Sequence, residues 1–196
     1  GMRTGIRGGA ERTAGRLNLS EGCSRGGPAQ QMRMDTSTRG HDPDDPIKSQ
    51  FTSGTTGSPK GATLTHYNIA NNARFTVRAM GFSETDRLCI PVPLYHCFGM
   101  VLGTLGCVTA GAAMVFPSEA FEPAETLAAI AAERCTGLYG VPTMFIAMLD
   151  HPEFASHDMS SLRSGLLSGA PCPFAVLALA PTHPHTPQFP HATRLT

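Results

Sequence analysis

Residues 52–61 read Thr52-Ser53-Gly54-Thr55-Thr56-Gly57-Ser58-Pro59-Lys60-Gly61, and they lie between two strand-like runs. Glycines let a backbone turn tightly and bring its N–H groups close to an anion, while hydroxyl side chains add neutral hydrogen-bond donors. The lysine adds a mobile positive charge. This combination predicts a loop that binds phosphate groups.

The order of residues separates this loop from the Walker A loop. A Walker A sequence has a lysine followed directly by serine or threonine, whose hydroxyl binds magnesium. Here Gly61 follows Lys60, so no hydroxyl stands next to the lysine. A generic P-loop nucleotidase is therefore disfavoured. The structural alternative to a phosphate site is an ordinary hairpin rich in glycine and hydroxyl residues.

The same ten residues carry a resemblance to a known family. They match T-S-G-T-T-G-x-P-K-G, the signature of the adenylate-forming superfamily, which includes acyl-CoA synthetases, luciferases and peptide-synthetase adenylation domains. Neighbouring segments resemble fatty acyl-CoA synthetases, above all the medium-chain type: Asp45-Pro46-Ile47, Gln50-Phe51, residues 62–69, Pro93-Leu94-Tyr95-His96-Cys97-Phe98-Gly99, residues 138–145 and Ser168-Gly169-Ala170-Pro171. The resemblance runs from about Asp45 to about Pro173.

Overall composition fits a globular protein without a nucleic-acid partner or a membrane span. Hydrophobic residues make up 41% of the 196 residues, and the formal net charge is +0. Nucleic-acid binding needs a concentrated basic patch, whereas the basic residues here are scattered. The longest apolar run, residues 102–115, contains three glycines and is too short to cross a bilayer. The sequence leaves the oligomeric state open.

Hydrophobic periodicity after the loop alternates between helices and strands. Helices are expected from the Thr65 cap to Gly81 and over residues 96–109, 123–134 and 143–150, and strands over residues 88–92, 112–116, 138–141 and 165–168. Such an order favours a parallel sheet with helices packed on it and right-handed crossovers. We therefore expect an α/β fold, a parallel sheet with alternating helices, which the resemblance identifies as part of the N-terminal domain of an adenylate-forming enzyme.

The two ends of the chain differ in composition from its middle. Residues 1–44 are rich in glycine and arginine with few large apolar side chains, so they cannot bury enough apolar surface to offset the loss of chain entropy. Residues 174–196 lie outside the resemblance, and from Pro181 onward they carry four prolines and three histidines with no apolar periodicity. We expect a disordered or targeting-like segment over 1–44, a partial AMP-binding domain over 45–173 and an unstructured tail over 174–196.

Cysteine usage and the N-terminal arginines bear on the compartment. The six cysteines form no C-x-x-C pair and lie mostly in apolar segments, which predicts reduced thiols in a reducing compartment. The arginine-rich start resembles a mitochondrial transit peptide, although no apolar face recurs there at helical spacing. The expected location is mitochondrial or cytoplasmic.

The resemblance implies an activity and a set of phosphate ligands. Its members join a carboxylic acid to ATP, release pyrophosphate, and transfer the acyl group from the acyl-adenylate to coenzyme A. For this chain the partners would be a fatty acid, ATP and coenzyme A, with Mg²⁺ accompanying ATP. The residues that would hold the β- and γ-phosphates are Thr52, Ser53, Gly54, Thr55, Thr56, Gly57 and Lys60.

Two further groups follow from the later motifs. The resemblance places His96, Tyr139 and Gly140 at the fatty-acid pocket, and Gly169, Ala170 and Pro171 beside the adenine and ribose. From the residues alone, a histidine in an apolar segment is more often a satisfied core residue, and Tyr139 and Gly140 equally suit the end of a buried strand.

The sequence supports metal sites less strongly than it supports the phosphate, acyl and adenine groups. An acidic run, Asp42, Asp44 and Asp45, stands beside prolines in a linker, where such runs are usually solvated. Three tail histidines, His183, His185 and His191, have no preformed geometry for zinc. We predict no metal site built by this chain.

Several motifs of the family are absent from these 196 residues. They contain no Tyr-Gly-x-Thr-Glu, whose glutamate helps to hold magnesium, no ribose-binding Thr-Gly-Asp, and no C-terminal domain with the catalytic lysine. No complete catalytic set is therefore expected in this chain. The interpretation is a fragment of an ATP-dependent fatty acid–CoA ligase, inactive alone. The alternative is a non-catalytic nucleotide-binding or interaction protein derived from that family.

Overall fold

A parallel β-sheet forms the centre of the protein in a computed structural model that describes residues 2–3, 40–52 and 59–170, with the backbone alone at residues 2, 3 and 52. The sheet has five strands in the order β1-β5-β4-β6-β7, and all its neighbours run parallel. Their bounds are β1 Met2–Arg3, β4 Arg87–Cys89, β5 Ala113–Val115, β6 Gly137–Gly140 and β7 Ser164–Leu167.

A separate two-stranded hairpin precedes the main part of the sheet. Strands β2 (Pro46–Thr52) and β3 (Lys60–Thr65) pair antiparallel, with Thr52 opposite Lys60. This last pair of the hairpin therefore fixes the positions of the two residues between which the glycine- and hydroxyl-rich segment runs.

Helix α1 (His66–Ala79) follows the hairpin directly, and its start is set by a capping box. The Asn68 N–H donates to Thr65 Oγ1 at 3.2 Å, and the Thr65 N–H donates to Asn68 Oδ1 at 3.1 Å. These two bonds satisfy backbone donors that a helix start otherwise leaves unpaired. The helix ends before Gly81, whose φ of 62° lies in the left-handed region.

Along the chain, the remaining helices connect successive strands of the sheet. They are a π-helix at Phe98–Leu105, continued by α2 (Gly106–Ala110), then α3 (Pro123–Glu133), α4 (Pro142–Leu149) and a short 3₁₀ turn at Phe154–Ser156. Both α3 and α4 have proline in their first turn, where the missing N–H leaves no intrahelical bond unmade.

Each face of the sheet has its own hydrophobic core. On one face, Leu127 and Ile130 of α3 and Phe145 and Met148 of α4 pack with strand residue Leu138. The other face carries Leu88, Ile90, Met114, Tyr139 and Leu166, packed against Phe98 and Cys107. Helix α1 packs through Ile69 and Ala73 on Val101 of the π-helix. Helices thus cover both faces of the parallel sheet, as such sheets require.

The predicted α/β order is confirmed, with ends that differ from the predicted ones by no more than three residues. The largest shift is in β4, where pairing ends at Cys89 although Ile90 still donates its N–H to Val115 O at 2.8 Å. The helix expected over 96–109 begins at Phe98, and its first eight residues form a π-helix. There the hydroxyl of Thr104 donates to Gly99 O, five residues earlier, at 3.2 Å.

The described residues cover only part of the segments on which the predicted domain division depends. The three-part division of the chain stays a prediction, because most of residues 1–44 and all of 174–196 lie outside the described ranges.

Within the described residues, none of the helices combines the length and the apolar character needed to cross a bilayer. Cysteines 89, 97, 107 and 135 are free thiols, and all but Cys97 are buried.

Candidate functional site

The candidate site lies where the parallel strands end. Because β4, β6 and β7 run in the same direction, the segments that follow them leave from one edge of the sheet, which we call the carboxyl edge. Residues 90–97 follow β4, Val141 follows β6, and Ser168 to Ala170 follow β7. In open α/β sheets, ligands bind at this edge. All the candidate acyl- and adenine-side residues within the described ranges lie on or beside it.

The candidate phosphate loop is fixed at its two ends. Thr52 and Lys60 face each other as the last pair of the hairpin, and Lys60 is exposed. Ser53, Gly54, Thr55, Thr56 and Gly57 lie outside the described residues, as does the side chain of Thr52. The strands therefore define where the loop starts and returns.

The hairpin contacts the helical segment that starts at the carboxyl edge. The ammonium Nζ of Lys48 lies 3.7 Å from the sulfur of Met100, and Leu64 packs on the cluster that contains Val101. The backbone N–H of His66 donates to Asp45 O at 3.2 Å, which ties the start of the hairpin to the start of α1. These contacts connect the candidate phosphate loop to the segment that carries His96.

His96 is exposed and precedes the π-helix. Its ring nitrogen Nδ1 accepts the Phe98 N–H at 3.1 Å, and its own backbone N–H donates to Pro93 O at 3.2 Å. The sulfur of Cys97 lies 3.7 Å from the same Nδ1. The imidazole is thus held against the start of the helix and faces solvent at the carboxyl edge.

Tyr139 is fully buried within β6. Its hydroxyl lies 3.3 Å from the sulfur of Met80 and 3.4 Å from Leu102 O, and its ring stacks on Phe98 with centroids 5.2 Å apart. Burial, with a smaller contribution from Cys107, raises the pKa of the Tyr139 phenol well above its ordinary value. The ring supports the helix that follows His96, and the phenol stays protonated at neutral pH.

The ends of β6 and β7 lie side by side. The Ser168 N–H donates to Gly140 O at 3.3 Å, and Gly140 itself is buried, where a side chain would meet the ring of Phe145 at 2.8 Å. Gly169 has a φ of 94°, a conformation that only glycine adopts without strain. Gly169 and Ala170 are exposed, whereas Pro171 lies outside the described residues.

Contacts bring the predicted acyl-side and adenine-side residues to one edge. Phe98 links the His96 segment to Tyr139, and Gly140 links β6 to the turn at Gly169. The hairpin contacts the π-helix at this edge through Lys48 and Met100.

Two of the three aspartates considered as metal ligands accept hydrogen bonds from backbone N–H groups of their own segment. The carboxylate of Asp45 accepts the Asp42 N–H at 3.0 Å, and that of Asp42 accepts the Asp44 N–H at 2.9 Å. Among residues 40–52 and 59–170, histidine, cysteine and acidic side chains form no group of three that could hold a metal ion. We therefore derive no chemical step through Mg²⁺ from these residues.

A charged network at the opposite edge of the sheet was missed by sequence reasoning. Asp86, Thr136 and Arg163 each stand immediately before a strand, namely β4, β6 and β7. Arg163 binds the Asp86 carboxylate through two nitrogens, at 3.0 and 2.6 Å, and the Thr136 hydroxyl donates to it at 2.7 Å. No sequence signal joins residues that are 50 and 77 positions apart.

Asp86 is charged in this network although only 2% of it is exposed. Burial by itself raises the carboxyl pKa, but hydrogen bonds from Arg163, Thr136 and the Ser83 N–H together outweigh it, so the pKa of Asp86 lies below its ordinary value. A buried carboxylate with several donors is stable as an anion. The network therefore fastens the amino ends of three strands and lies away from the carboxyl edge.

Comparison with known proteins identifies the family. The AMP-binding enzyme family matches residues 9–184. The chain is 52% identical over 136 residues to the mitochondrial medium-chain acyl-CoA ligase ACSF2 of Danio rerio, covering 68% of this chain and 22% of the relative. It is 52% identical over 145 residues to the acyl-CoA ligase SID4 of Ajellomyces capsulatus, covering 74% of this chain and 24% of the relative.

A solved structure has the same fold. ATP-bound MatB from Rhodopseudomonas palustris superposes with a TM-score of 0.65 at 29% identity, covering 75% of this chain and 29% of that one. The chain thus spans about a quarter of the length of the relatives it matches. Because the AMP-binding enzyme family matches residues 9–184, most of the chain, the chain belongs to that family.

Proposed function

We propose that this chain is a segment of an ATP-dependent fatty acid–CoA ligase that forms an acyl-adenylate with release of pyrophosphate, and then an acyl-CoA with release of AMP. The main support is that about half of the 136 to 145 matched residues are identical in relatives named as acyl-CoA ligases. Medium-chain fatty acids are the proposed acid, following the name of the ACSF2 relative. By the same comparison the proposed location is mitochondrial or cytoplasmic.

The proposed role of the loop is to hold the β- and γ-phosphates of ATP. Lys60 would neutralise charge on the departing pyrophosphate, while the hydroxyls and N–H groups of residues 52–57 would orient it. The pairing of Thr52 with Lys60 supports this role, because it fixes both ends of a short loop. Fixed ends would lower the entropy that the loop loses when the phosphates bind.

The carboxyl edge would bind the other parts of the acyl-adenylate. His96 and Gly140 would border the acyl chain, with Tyr139 as the buried support behind them, and Gly169, Ala170 and Pro171 would lie against adenine and ribose. The positive φ of Gly169 supports close approach of backbone to a flat ring. Mg²⁺, when bound with ATP, would neutralise phosphate charge, and coenzyme A would accept the acyl group.

A chimeric ligase tests the proposal. Residues 45–173 would replace the corresponding segment of a complete acyl-CoA ligase, with the parent ligase as the control. We expect fatty acid-dependent exchange of pyrophosphate into ATP, because the segment would supply the phosphate loop and the carboxyl edge. A chimera that folds and binds ATP but catalyses no exchange with any acid would contradict ligase function and favour the non-catalytic alternative.

The 196-residue chain alone is expected to release no pyrophosphate above background. The glutamate and lysine motifs of the family are missing from its sequence, so transition-state charge would go unstabilised. The assay contains ATP, Mg²⁺ and fatty acids of several lengths. Acid-dependent release clearly above that of a Lys60→Ala chain would refute the expected inactivity.

His96→Phe in the chimera is expected to change the preferred length of the fatty acid while leaving ATP affinity within a few-fold. His96 lies at the carboxyl edge, whereas Lys60 lies on the hairpin. A change of one methylene in an apolar pocket alters selectivity by about 1 to 3 kcal/mol. The measurement is kcat/KM across a chain-length series, with ATP titrated separately. An unchanged length profile with a large loss of ATP affinity would move His96 to the nucleotide side.

A further inference from the structure

The imidazole of His96 makes a hydrogen bond whose direction is unambiguous. The partner of Nδ1 is the backbone N–H of Phe98 at 3.1 Å, and a backbone N–H can only donate. Nδ1 must therefore offer a lone pair and carry no proton. In a neutral imidazole the single proton is then on the other nitrogen, Nε2.

Gly99 determines how closely the start of the π-helix approaches residues 92 and 93, which follow β4. A methyl group at Gly99 would overlap the carbonyl oxygen of Pro93 and lie 2.9 Å from that of Val92. The Pro93 oxygen also accepts the backbone N–H of His96 at 3.2 Å. One carbonyl thus fixes the backbone of His96 and occupies the space that a Cβ at position 99 would need.

We propose that Gly99 is a positioning residue: by letting the π-helix pack on the Pro93 carbonyl, it places the Phe98 N–H on Nδ1 and holds His96 as a fixed Nε2–H donor at the carboxyl edge. The sulfur of Cys97 lies 3.7 Å from the same nitrogen, and with no proton on Nδ1 the thiol S–H is the only group that can donate in that contact. Gly99 acts only through His96.

This arrangement selects the kind of ligand that His96 can meet. An Nε2–H group binds an acceptor oxygen, such as that of a carboxylate or carbonyl. It does not bind a metal ion, since a ligating Nε2 needs a lone pair and normally has its proton on Nδ1. The inference concerns the hydrogen bond of the ring and holds whatever reaction the protein catalyses, so its failure would leave the proposed ligase function untouched.

Nitrogen NMR of the full 196-residue chain tests the proposal directly. At a pH of about 9, where imidazole is neutral, we expect the His96 spectrum to show a protonated Nε2 and an unprotonated Nδ1. We also expect a coupling across the hydrogen bond between the Phe98 nitrogen and His96 Nδ1. A protonated Nδ1, or an even mixture of tautomers, would overturn the proposal without any variant being needed.

Two glycine variants of the same helix test the role of Gly99. Gly99→Ala should lose the coupling and give mixed tautomers. Gly103→Ala is the matched control, because the atoms nearest to a methyl there belong to the side chain of Ile90, at 3.2 Å, and not to a backbone carbonyl. The control should keep the wild-type spectrum. Retention of the wild-type tautomer in Gly99→Ala, or its equal loss in both variants, would show that Gly99 does not position His96.

Discussion

Lys60→Ala in the chimeric ligase is expected to raise the activation free energy of acyl-adenylate formation by about 2 to 4 kcal/mol, a slowing of roughly 30- to 900-fold. On the proposed role of Lys60, the lost contact would be a charge-assisted one to phosphates that become more negative as they leave. Coenzyme A transfer from supplied acyl-adenylate should change little, because those phosphates have already departed. Single-turnover kinetics of the two half-reactions provide the measurement.

Lys48→Ala is the matched control for the Lys60 substitution. Both lysines lie on the same hairpin, but the ammonium of Lys48 points to the sulfur of Met100 on the π-helix. Its removal deletes a charge from the hairpin without touching the loop, and Leu64 still packs the hairpin on the cluster that contains Val101. Adenylate formation should therefore stay close to the parent rate. Equal losses in both half-reactions for Lys60→Ala, or equal losses for the two lysine variants, would mean that the hairpin acts through folding instead of phosphate binding.

Asp86→Ala is expected to lower the free energy of unfolding of the chain by about 3 kcal/mol. Breaking a buried ion pair costs about 3 to 5 kcal/mol, because the partners left behind lose their hydrogen bonds. Asp86 is 2% exposed while the side chain of Arg163 is 44% exposed, so water can replace part of what the arginine loses. This places the expected loss at the lower end of the range. Urea denaturation of the 196-residue chain measures it.

The same carboxylate predicts an acid-sensitive fold. The pKa of Asp86 is lower in the folded protein than its ordinary value of about 3.9. Its stabilisation is therefore complete above that value and is lost as the pH falls through the folded pKa. Denaturation at several pH values should show a decline in stability below about pH 4 that is shallower in Asp86→Asn. An equal decline in both proteins would assign the acid sensitivity to other groups.

Arg87→Ala is the control for the network at the amino ends of the strands. Arg87 lies next to Asp86 but pairs with Glu133 at 3.4 Å, with side chains 34% and 30% exposed. Pairs so accessible to water contribute about 0 to 1 kcal/mol. A loss in Arg87→Ala as large as that in Asp86→Ala would show that general charge, and not the buried network, stabilises this edge.

Local signals account for most of the fold that could be predicted from the sequence. The hydroxyl of Thr65, Gly81 after α1 and Pro123 at the start of α3 each act through their own backbone, so their effects are readable from a few neighbouring residues. The π-helix was not predictable in this way. Residues 98–105 are small or apolar throughout, and such a run has no periodicity that separates bonding to the fourth residue from bonding to the fifth.

The candidate site, like the fold, has parts that the sequence predicts and parts that it does not. The loop and the segment around His96 were found because a family signature names them, whereas their spacing alone left open a plain hairpin and a core histidine. The burial of Tyr139 depends on Met80, Phe98 and Leu102, which are distant in sequence. The partners of Asp86 are distant for the same reason. Contacts of this kind form only when the sheet assembles, so a linear pattern does not contain them.

The buried network and the carboxyl edge stand at opposite ends of the same short strands, and this has a consequence for how such a protein can diverge. Asp86, Thr136 and Arg163 fasten the strands where they begin, while the loops around His96 and Gly169 leave from where they end. Substitutions in those loops do not touch the hydrogen bonds of the network. A lineage can therefore acquire a new ligand preference through loop changes while its descendants keep the same thermal tolerance.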